Sequence, residues 1–435
     1  MRLGDGTRIA RPSGPVRTWH AAAGRHSARG SSLIRSAASM FAARGAGRHE
    51  ARRPAAAKSA LAYRLIALVL CALFLRSVAR FYHPGFGFTA LIGFPEDPGE
   101  LPKLRAIPHY RYPSSASYDG QFYAQRALDP LARDPSVDRA MDLAPYRARR
   151  ILFCWTAYLA GLGRPAWILD AYALQNVVCW LVLAVLFTRW CDVGTPRGLI
   201  VWTAIMFSKG LLWSVRFALL DGPSLLLITL AIVAAERRRP LLSAAIGGVA
   251  ALGRETNVLA FLAQPVPRTR RDWLRLAAAA VLVIAPVLLW LDYLRSIYRS
   301  TLLLGTDQIL FPGTAFAHVI VRVFNGVAGD GLLSGAGLDL SVLASVVVQA
   351  AAICWQREWR CPWWRVAFGY VLLALVMDRV LWDPHTGALM RVLLPLTVGF
   401  NLQRLREPRA SRFWPWFVAG NLHLAGIFRV MPLVS

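Results

Sequence analysis

The sequence predicts an all-α polytopic membrane protein with about eleven transmembrane helices. Of the 435 residues, 56% are hydrophobic and 16 are Trp, and the mean hydropathy is +0.42, which is too apolar for a soluble protein of this size. Several runs contain no charged residue, among them 65–75, 180–187 and 277–290. Several apolar stretches extend toward the roughly 20 residues that cross a bilayer.

The chain begins with a basic segment, residues 1–60. It holds twelve Lys or Arg and two acidic residues, which gives +10, among Ala, Gly and Ser. Such a composition cannot bury enough apolar surface to fold alone, so we expect a disordered cytoplasmic tail. A targeting peptide is disfavoured because the first apolar run lies too far from the N-terminus. The first span, 61–79, then leaves the cytoplasm, because the positive charge stays inside.

Residues 81–165 are predicted to form a large first extracytoplasmic loop with interfacial helices, at the start of a transmembrane domain that covers 61–435. Six prolines between 84 and 113 indicate irregular backbone there. Within the loop, 145–163 starts with Arg147, Arg149 and Arg150 and continues as an apolar run that is too short to span. We expect an amphipathic helix at the outer interface, because counting it as a span would invert everything downstream.

The distribution of arginine supports this orientation. Every turn that the topology places in the cytoplasm is basic, as the positive-inside rule requires. The pair 241–253 and 255–267 is short, and an alternative interpretation is a re-entrant hairpin whose tip, 253–256, rises toward the outer face. The ten further predicted spans are 166–188, 198–215, 221–235, 241–253, 255–267, 274–294, 338–355, 366–382, 388–403 and 413–430.

The net charge of +26 would by itself suggest nucleic-acid binding. Here the basic residues fall in short clusters between apolar segments, so they indicate membrane orientation and no nucleic-acid partner. The six cysteines have no paired or CxxC spacing. We therefore expect free thiols, with neither a disulfide framework nor a zinc site.

The stretch SYDGQFYAQRALDP, residues 117–130, lies in the long polar excursion of this apolar chain. Tyr-Asp-Gly is typical of a turn, and a helix is predicted to follow it. Asp119 is therefore an exposed carboxylate ahead of a helix. Its structural interpretation is an N-cap, and its functional interpretation is a catalytic group on a loop against the membrane.

Other ionisable residues fall near the same outer ends of the predicted spans. Such groups are costly at membrane depth unless they are paired or line a wet cavity, so each is a functional candidate. Each also has a structural interpretation. Asp221 would cap its helix, with Pro223 in the first turn; Arg254 and Glu255 would form an ion pair; and Arg391 would snorkel to the interface.

The motifs YDGQFY and ALDP, followed by YRARRIL at 146–152, DGPSLLL at 221–227 and GRETN at 253–257, resemble a family of bacterial integral-membrane proteins of cell-surface glycopolymer formation. That family is similar in layout to the GT-C superfamily of membrane glycosyltransferases. The resemblance covers about residues 61–400 and implies a catalytic acid in the first external loop, here Asp119, and a polyprenyl-phosphate sugar donor. The chain has Asp-Gly where protein mannosyltransferases have a paired acidic motif. Because of this departure, the resemblance does not imply a particular metal dependence or acceptor type.

The residues suit such a transfer. A carboxylate can take the proton of an acceptor hydroxyl, and arginines can bind the departing phosphate. We expect Asp119 to be the base. We expect the phosphate to be held by Arg150, Arg254 and Arg391. The sugar hydroxyls would be contacted by Gln121, Gln125 and Asp129. Asp129 comes directly before Pro130, a position that is equally typical of a helix stop. The substrate-binding set as a whole is Tyr118, Gln121, Tyr123, Gln125, Asp129, Arg150, Asp221, Arg254, Glu255 and Arg391.

Oxygen ligands for Mg²⁺ or Mn²⁺ would come from Asp119, Asp129 and Glu255, but no ligand spacing is diagnostic. The predicted function is transfer of a sugar from a polyprenyl-phosphate donor to a glycan or lipid-linked acceptor, on the extracytoplasmic face of a bacterial cytoplasmic membrane. Two other classes stay open. One is a transporter or flippase for lipid-linked or anionic substrates, disfavoured by the lack of an internal repeat; the other is a non-catalytic partner in polysaccharide export.

Overall fold

The computed structural model describes residues 58–96, 99, 101–113, 118–298, 311–384 and 387–431. The predicted tail therefore lies outside the described residues, except for 58–60, and so does Ser117. The described chain is 72% helix and about 2% strand, which confirms the predicted all-helical class. Two short strands, β1 (Phe94–Pro95) and β2 (Arg111–Tyr112), pair in parallel within the first loop.

The helices follow one another along three parts of the chain. The first part contains α1 (Lys58–Ala79), α2 (Pro102–Arg105), α3 (Gly120–Leu128), α4 (Val137–Ala140), α5 (Ala144–Ala148) and α6 (Leu152–Ala160). The middle contains α7 (Pro165–Phe187), α8 (Pro196–Met206), α9 (Lys209–Arg216), α10 (Asp221–Glu236), α11 (Pro240–Gly253) and α12 (Arg270–Tyr298). The last part contains α13 (Thr314–Asp330), α14 (Gly335–Gln356), α15 (Pro362–Val376), α16 (Ala388–Val392), α17 (Leu394–Leu405), α18 (Ala410–Gly420) and α19 (Ile427–Val430). Shorter 3-10 helices occur at Thr89–Leu91, Glu255–Ala263 and Leu422–Gly426.

Within the described residues, four helices are long and apolar enough to cross a membrane: α1, α7, α12 and α14. A fifth span is formed if α8 and α9, which meet at a bend of 44°, are counted as one. These four to five helices support the prediction that the chain is a membrane protein. The other predicted spans correspond to shorter helices, such as the 14 residues of α11 and the 15 of α15.

The apolar surface of the long helices faces outward. On α12, Leu274, Val281 and Leu289 are more than 60% exposed, and on α1 Leu61 and Leu68 are 58% and 65% exposed. The opposite side of α1 packs on the protein, because the ring of Phe74 stacks on that of Trp180 in α7 at 3.7 Å. Large exposed aliphatic surfaces on helices of this length are those that lipid covers.

The segment 145–163 does not form one helix. It is divided into α5 and α6 by a break at 149–151, and neither helix is long enough to span. In an unbroken helix, side chains at 147 and 149 would point about 200° apart. The break instead lets Arg147, Arg149 and Arg150 all turn into the protein, where each is less than 9% exposed.

The predicted hairpin at 241–267 is present as α11 followed by the 3-10 helix Glu255–Ala263. The chain reverses at Arg254, which has extended backbone angles between the two helices. The other ends of both arms meet again, because the side-chain amide of Gln264 donates to the carbonyl of Pro240 at 3.1 Å. Arg254 therefore lies at the tip of a closed hairpin, and this tip enters the candidate site. Helix α13, by contrast, was not predicted from the sequence.

Candidate functional site

A cavity of about 560 Å³ lies where the first loop meets the hairpin tip, and we call it the site cavity. Eight of the eleven predicted site residues line it: Tyr118, Asp119, Gln121, Tyr123, Arg150, Asp221, Arg254 and Arg391. They come from five separated regions of the chain: residues 118–123 at the start of α3, the break between α5 and α6, the start of α10, the hairpin tip, and α16. The convergence predicted from topology is therefore what the structure shows for these eight residues.

Asp119 stands directly before α3 with its carboxylate turned to the cavity. The side chain makes no capping hydrogen bond to the helix, so the N-cap interpretation is wrong. Instead Oδ1 accepts a hydrogen bond from Nη2 of Arg147 at 3.0 Å, while 37% of the side chain stays exposed. An exposed, ionised carboxylate held by one guanidinium group is accessible to a ligand.

Arg147 links Asp119 to a second carboxylate. Its Nε and Nη2 donate to the two oxygens of Asp142 at 3.0 and 2.7 Å, and Nη1 contacts the hydroxyl of Tyr123 at 3.4 Å. The predicted substrate-binding set includes neither residue: Arg147 was predicted only as one of the functional candidates near the outer ends of the spans, and Asp142 was not predicted at all. The available signal was an acid shortly before an arginine-rich helix start, which has no local spacing that identifies it as a site.

These contacts set the charge state of the Asp119 carboxyl. Burial raises its pKa, but the guanidinium groups of Arg147 and Arg391 have a larger combined effect and hold the pKa below its ordinary value. Burial likewise disfavours the charged form of Arg147, yet Tyr123, Asp142 and Asp119 more than compensate and raise its pKa. Asp119 is thus a carboxylate, and Arg147 a cation, at any physiological pH.

Arg150 lies at the next position along the cavity wall. Its Nη1 donates to the hydroxyl of Tyr123 at 3.0 Å, Nη2 donates to the hydroxyl of Tyr146, and Nε donates to Oε2 of Glu255 at 3.0 Å. Glu255 also forms an ion pair with Arg149 at 3.1 Å. Glu255 therefore does not line the cavity, but it supports an arginine that does.

The floor of the cavity is an ion-pair cluster around Asp221. Its carboxylate is 2% exposed; Oδ1 binds Nη1 of Arg254, and Oδ2 binds Nη1 of Arg391 at 3.0 Å. Nη2 of Arg391 donates to the hydroxyl of Tyr118 at 2.6 Å. Three structural interpretations are thereby corrected: Asp221 pairs with two arginines, Arg254 pairs with Asp221 and not with Glu255, and Arg391 is buried and does not snorkel.

The pairings divide the site into regions of opposite charge. One arginine between Asp119 and Asp142 leaves a charge of −1 at the first loop. Two arginines on Asp221 leave +1 at the floor, and Arg149 with Arg150 on Glu255 leave another +1 behind the wall. A carboxylate at one side and surplus guanidinium charge at the other is the distribution that proton abstraction opposite an anionic leaving group requires.

Gln125 and Asp129 lie outside the cavity. Oε1 of Gln125 is buried and accepts a hydrogen bond from the backbone of Leu101 at 3.0 Å. Asp129 ends α3, where its carboxylate binds Arg126 and the backbone amides of Arg133 and Asp134. Both residues hold the first loop together, so the helix-stop interpretation of Asp129 is the right one.

The predicted oxygen ligands for a divalent cation do not come together. Asp129 stops its helix, Glu255 faces two arginines, and Asp119 is bound to Arg147. Among the described residues, no group of three or more His, Cys, Asp or Glu side chains is placed to hold a metal ion. Asp119, Asp142 and Asp221, which line the cavity, each already bind a guanidinium group, so they do not form a set of free oxygen ligands for a divalent cation. The six cysteines, all in the described part of the chain, are free thiols, as predicted.

Below the floor the protein is closely packed. The space beneath Asp221, Arg254 and Arg391 measures about 10 Å³, lined by side chains such as Leu225 and Tyr370. That volume has room for about one water molecule. In the described part of the chain, the site cavity is therefore open toward the first loop and closed toward the opposite end of the helices.

Comparison of the chain with protein-family models, with curated proteins and with solved structures gives no match.

Proposed function

We propose that this chain is a membrane glycosyltransferase with a GT-C-like arrangement of about eleven membrane-crossing and re-entrant segments. It transfers a sugar from a polyprenyl-phosphate donor to a glycan or lipid-linked acceptor during cell-surface polysaccharide assembly. The observation that carries the proposal is the carboxylate of Asp119, which is 37% exposed and faces arginines across one cavity.

In this mechanism Asp119 removes the proton from the acceptor hydroxyl as the oxygen attacks the anomeric carbon. The bond between that carbon and the donor phosphate oxygen breaks, and the electron pair leaves with the phosphate. Arg391, Arg254 and Arg150 stabilise the charge that develops there. Nη2 of Arg254 has no partner among the described residues and is available to donate to such an oxygen.

The rim of the cavity supports a lipid-linked donor. Leu143 and Val380 both line the site cavity, and their exposed fractions are 43% and 74%. Exposed aliphatic side chains next to buried arginines suit a ligand with a phosphate head and a hydrocarbon tail. A soluble sugar nucleotide would gain nothing from this apolar rim.

The proposed location is the extracytoplasmic side of a bacterial cytoplasmic membrane. Support comes from α10 and α15, each of which has one end at the site cavity and the other near exposed arginines such as Arg237 and Arg360. Basic residues concentrate on the cytoplasmic side, so the site cavity would face away from it. The 16 residues of α10 rise about 24 Å, which is close to the thickness of the hydrocarbon region.

Transport is the second candidate class, and the packing below the floor argues against it. A transporter needs a path that both faces can reach in turn, whereas here a buried ion-pair cluster and a space of about 10 Å³ lie under the cavity. A non-catalytic assembly partner would have no use for an exposed carboxylate opposite arginines. Sugar transfer therefore accounts for more of the geometry than either alternative.

The test is glycan analysis of a deletion strain that expresses either the unaltered protein or Asp119→Asn. The isosteric amide cannot accept the proton, so transfer should fall by about 10²- to 10⁴-fold and the same polymer should be missing as in the deletion strain. Asp292→Asn is the matched control, because it removes an exposed carboxylate on α12. Wild-type polymer levels from Asp119→Asn, with normal amounts of protein in the membrane, would reject the catalytic role.

A further inference from the structure

A second cavity, of about 660 Å³, lies at the far end of the helices that form the site cavity. Four arginines line it, Arg268, Arg275, Arg360 and Arg365, and we call it the arginine cavity. α10 runs from Asp221 in the site cavity to Ala235 here, and α15 runs from Pro362 here to just before Asp378 in the site cavity. The two cavities therefore open at opposite ends of the same helices.

One of the four arginines builds the wall. Arg365 donates to the carbonyls of Leu262, Ala263 and Gln264 at 2.8 to 3.0 Å, and to that of Trp359 at 2.6 Å. These carbonyls end the 3-10 helix and would otherwise be unsatisfied. Because its donors are used on the backbone, Arg365 fixes the shape of the cavity and is not free to bind a ligand.

The other three arginines carry more positive charge than the lining carboxylate balances. The guanidinium groups of Arg268 and Arg360 are exposed and have no partner among the described residues. Arg275 is 64% exposed and lies 3.8 Å from Asp272, the one carboxylate that lines the cavity. Asp272 is already engaged by the backbone amides of Arg268 and Thr269 at the start of α12. With Arg365 included, four arginines and Asp272 give the lining a charge of +3, and charge of this density favours an anion with several oxygens.

The position of the cavity specifies where that anion comes from. Trp359, which is 55% exposed, and Val266 line the same cavity as the arginines. The start of α12, between Asp272 and Arg275, exposes Trp273 and Leu274, where its apolar surface begins. Tryptophan and arginine at the end of an apolar helix mark the level of lipid headgroups. A ligand here would have its phosphate among the arginines and its acyl chains along α12.

We propose that the arginine cavity binds the phosphate headgroup of an anionic phospholipid of the surrounding membrane. The proposal does not depend on sugar transfer, because none of its residues belongs to the site cavity. The lipid would bridge α12 to the start of α15 and so tie the hairpin, whose two ends lie between them, to the rest of the bundle. General attraction of a basic surface to the membrane is the competing explanation, and it predicts no preference for these arginines.

The experiment uses the full chain in detergent, with phosphatidylglycerol bound and counted by native mass spectrometry. In the double variant Arg268→Gln with Arg360→Gln, the affinity for phosphatidylglycerol should fall about 30-fold, because each arginine near the surface contributes about fivefold. Both side chains are exposed and unpaired, so the fold is retained. The thermal midpoint should be that of the unaltered protein in lipid-free detergent.

The matched control is Arg406→Gln with Arg412→Gln, two exposed arginines outside the cavity. They flank the turn after α17, and Gly399 of α17 packs on Trp363 and Ala367 near the start of α15, so this turn lies at the same end of the bundle. The control should bind phosphatidylglycerol as the unaltered protein does. Equal losses in the two double variants, or no loss in either, would overturn the proposal.

Competition separates the lipid from a soluble phosphate. Addition of sn-glycerol 3-phosphate or inorganic phosphate at the concentration of the lipid should leave binding unchanged, since neither has acyl chains to place along α12. Phosphatidylcholine, whose headgroup has no net charge, should bind with the same low affinity to the unaltered protein and to both variants. Displacement of phosphatidylglycerol by equimolar inorganic phosphate would assign the cavity to a soluble anion and overturn the lipid proposal.

Discussion

Oδ2 of Asp221 lies 3.0 Å from Nη1 of Arg391, although 170 residues separate them in the sequence. The other oxygen of the same carboxylate binds Arg254, so one buried side chain joins the start of α10, the hairpin tip and α16. Each of these elements contributes to the site cavity. Because they are helical, their backbone hydrogen bonds lie within each element, and the Asp221 side chain connects one element to the next. The Asp221 carboxylate is therefore a structural centre of the site, as well as its floor.

Asp221→Asn should destabilise the protein severely. The substitution leaves two buried guanidinium groups facing each other without a counter-charge, and removal of one partner of a buried ion pair costs about 3–5 kcal/mol. The thermal midpoint in detergent should drop by several degrees or more. Asp292→Asn, which neutralises an exposed carboxylate, should leave the midpoint unchanged; a similar midpoint for Asp221→Asn and the unaltered protein would contradict this role.

The sequence predicted the shared face of the site, but not its pairings. Alternating basic turns determine which helix ends lie together, because charge in short turns controls orientation, and on that ground Asp119, Arg150, Arg254 and Arg391 were expected on one side. Their partners depend on side-chain packing between helices. The contacts of Arg150 with Glu255 and of Arg391 with Asp221 join residues 105 and 170 positions apart, which no local spacing encodes.

The sequence pattern around Asp119 did not predict in which direction each neighbouring side chain points. Gln125 and Asp129 belong to the same stretch as Asp119, but they lie on other sides of α3 or beyond its end and serve the first loop. Fewer described helices reach spanning length than the number of predicted spans, for a related reason. An apolar run shows that a segment is buried, yet runs of 11 to 16 residues, as in α10, α11 and α18, are buried by protein as readily as by lipid.

Tyr123→Phe should weaken donor binding more than it weakens the fold. The Tyr123 hydroxyl is shared by Arg147 and Arg150, so its loss frees the two guanidinium groups to reorient. A hydrogen bond to a charged group contributes about 1.5–3 kcal/mol, and we expect kcat/KM for a polyprenyl-phosphate sugar to fall about 10- to 100-fold.

Tyr172→Phe is the control for this hydroxyl. Tyr172 is equally buried, but its hydroxyl has no hydrogen-bond partner among the described residues. Its removal should leave transfer unchanged and should not lower the thermal midpoint, since an unsatisfied buried group is destabilising. If both Phe variants lost activity to the same extent, the role of Tyr123 would be packing and not orientation of arginines.

Arg147→Gln should move the acid limb of the pH profile to higher pH. In the unaltered protein the guanidinium groups of Arg147 and Arg391 hold the pKa of Asp119 below its ordinary value, so the base form persists through neutral and mildly acidic pH. The associated stability is present above the unfolded pKa of the carboxyl and is lost as the pH falls through the folded pKa. Without the guanidinium group the pKa rises, and kcat/KM should decline already in mildly acidic buffer.

The profile should be recorded between about pH 4 and 8 for the unaltered protein, Arg147→Gln and Arg412→Gln. Arg412→Gln removes an arginine at the opposite end of the bundle, so its acid limb should coincide with that of the unaltered protein. A uniform loss of rate in Arg147→Gln, with no displacement of the limb, would mean that Arg147 does not tune Asp119.

Gly120→Ala should inactivate the protein without changing any charge. A Cβ at this position would lie 2.1 Å from the carbonyl oxygen of Phe217 and 2.9 Å from that of Ile92, and backbone atoms cannot move aside cheaply. The start of α3 must then shift, and Asp119 with it. A displacement of about 1 Å at a reacting group lowers turnover by about 100-fold.

Gly329→Ala near the end of α13 is the control, because nothing lies within 4 Å of the added methyl group. It should keep full activity and gain up to about 1 kcal/mol of helix stability; wild-type turnover by Gly120→Ala would show that α3 and the Asp119 carboxylate tolerate the shift.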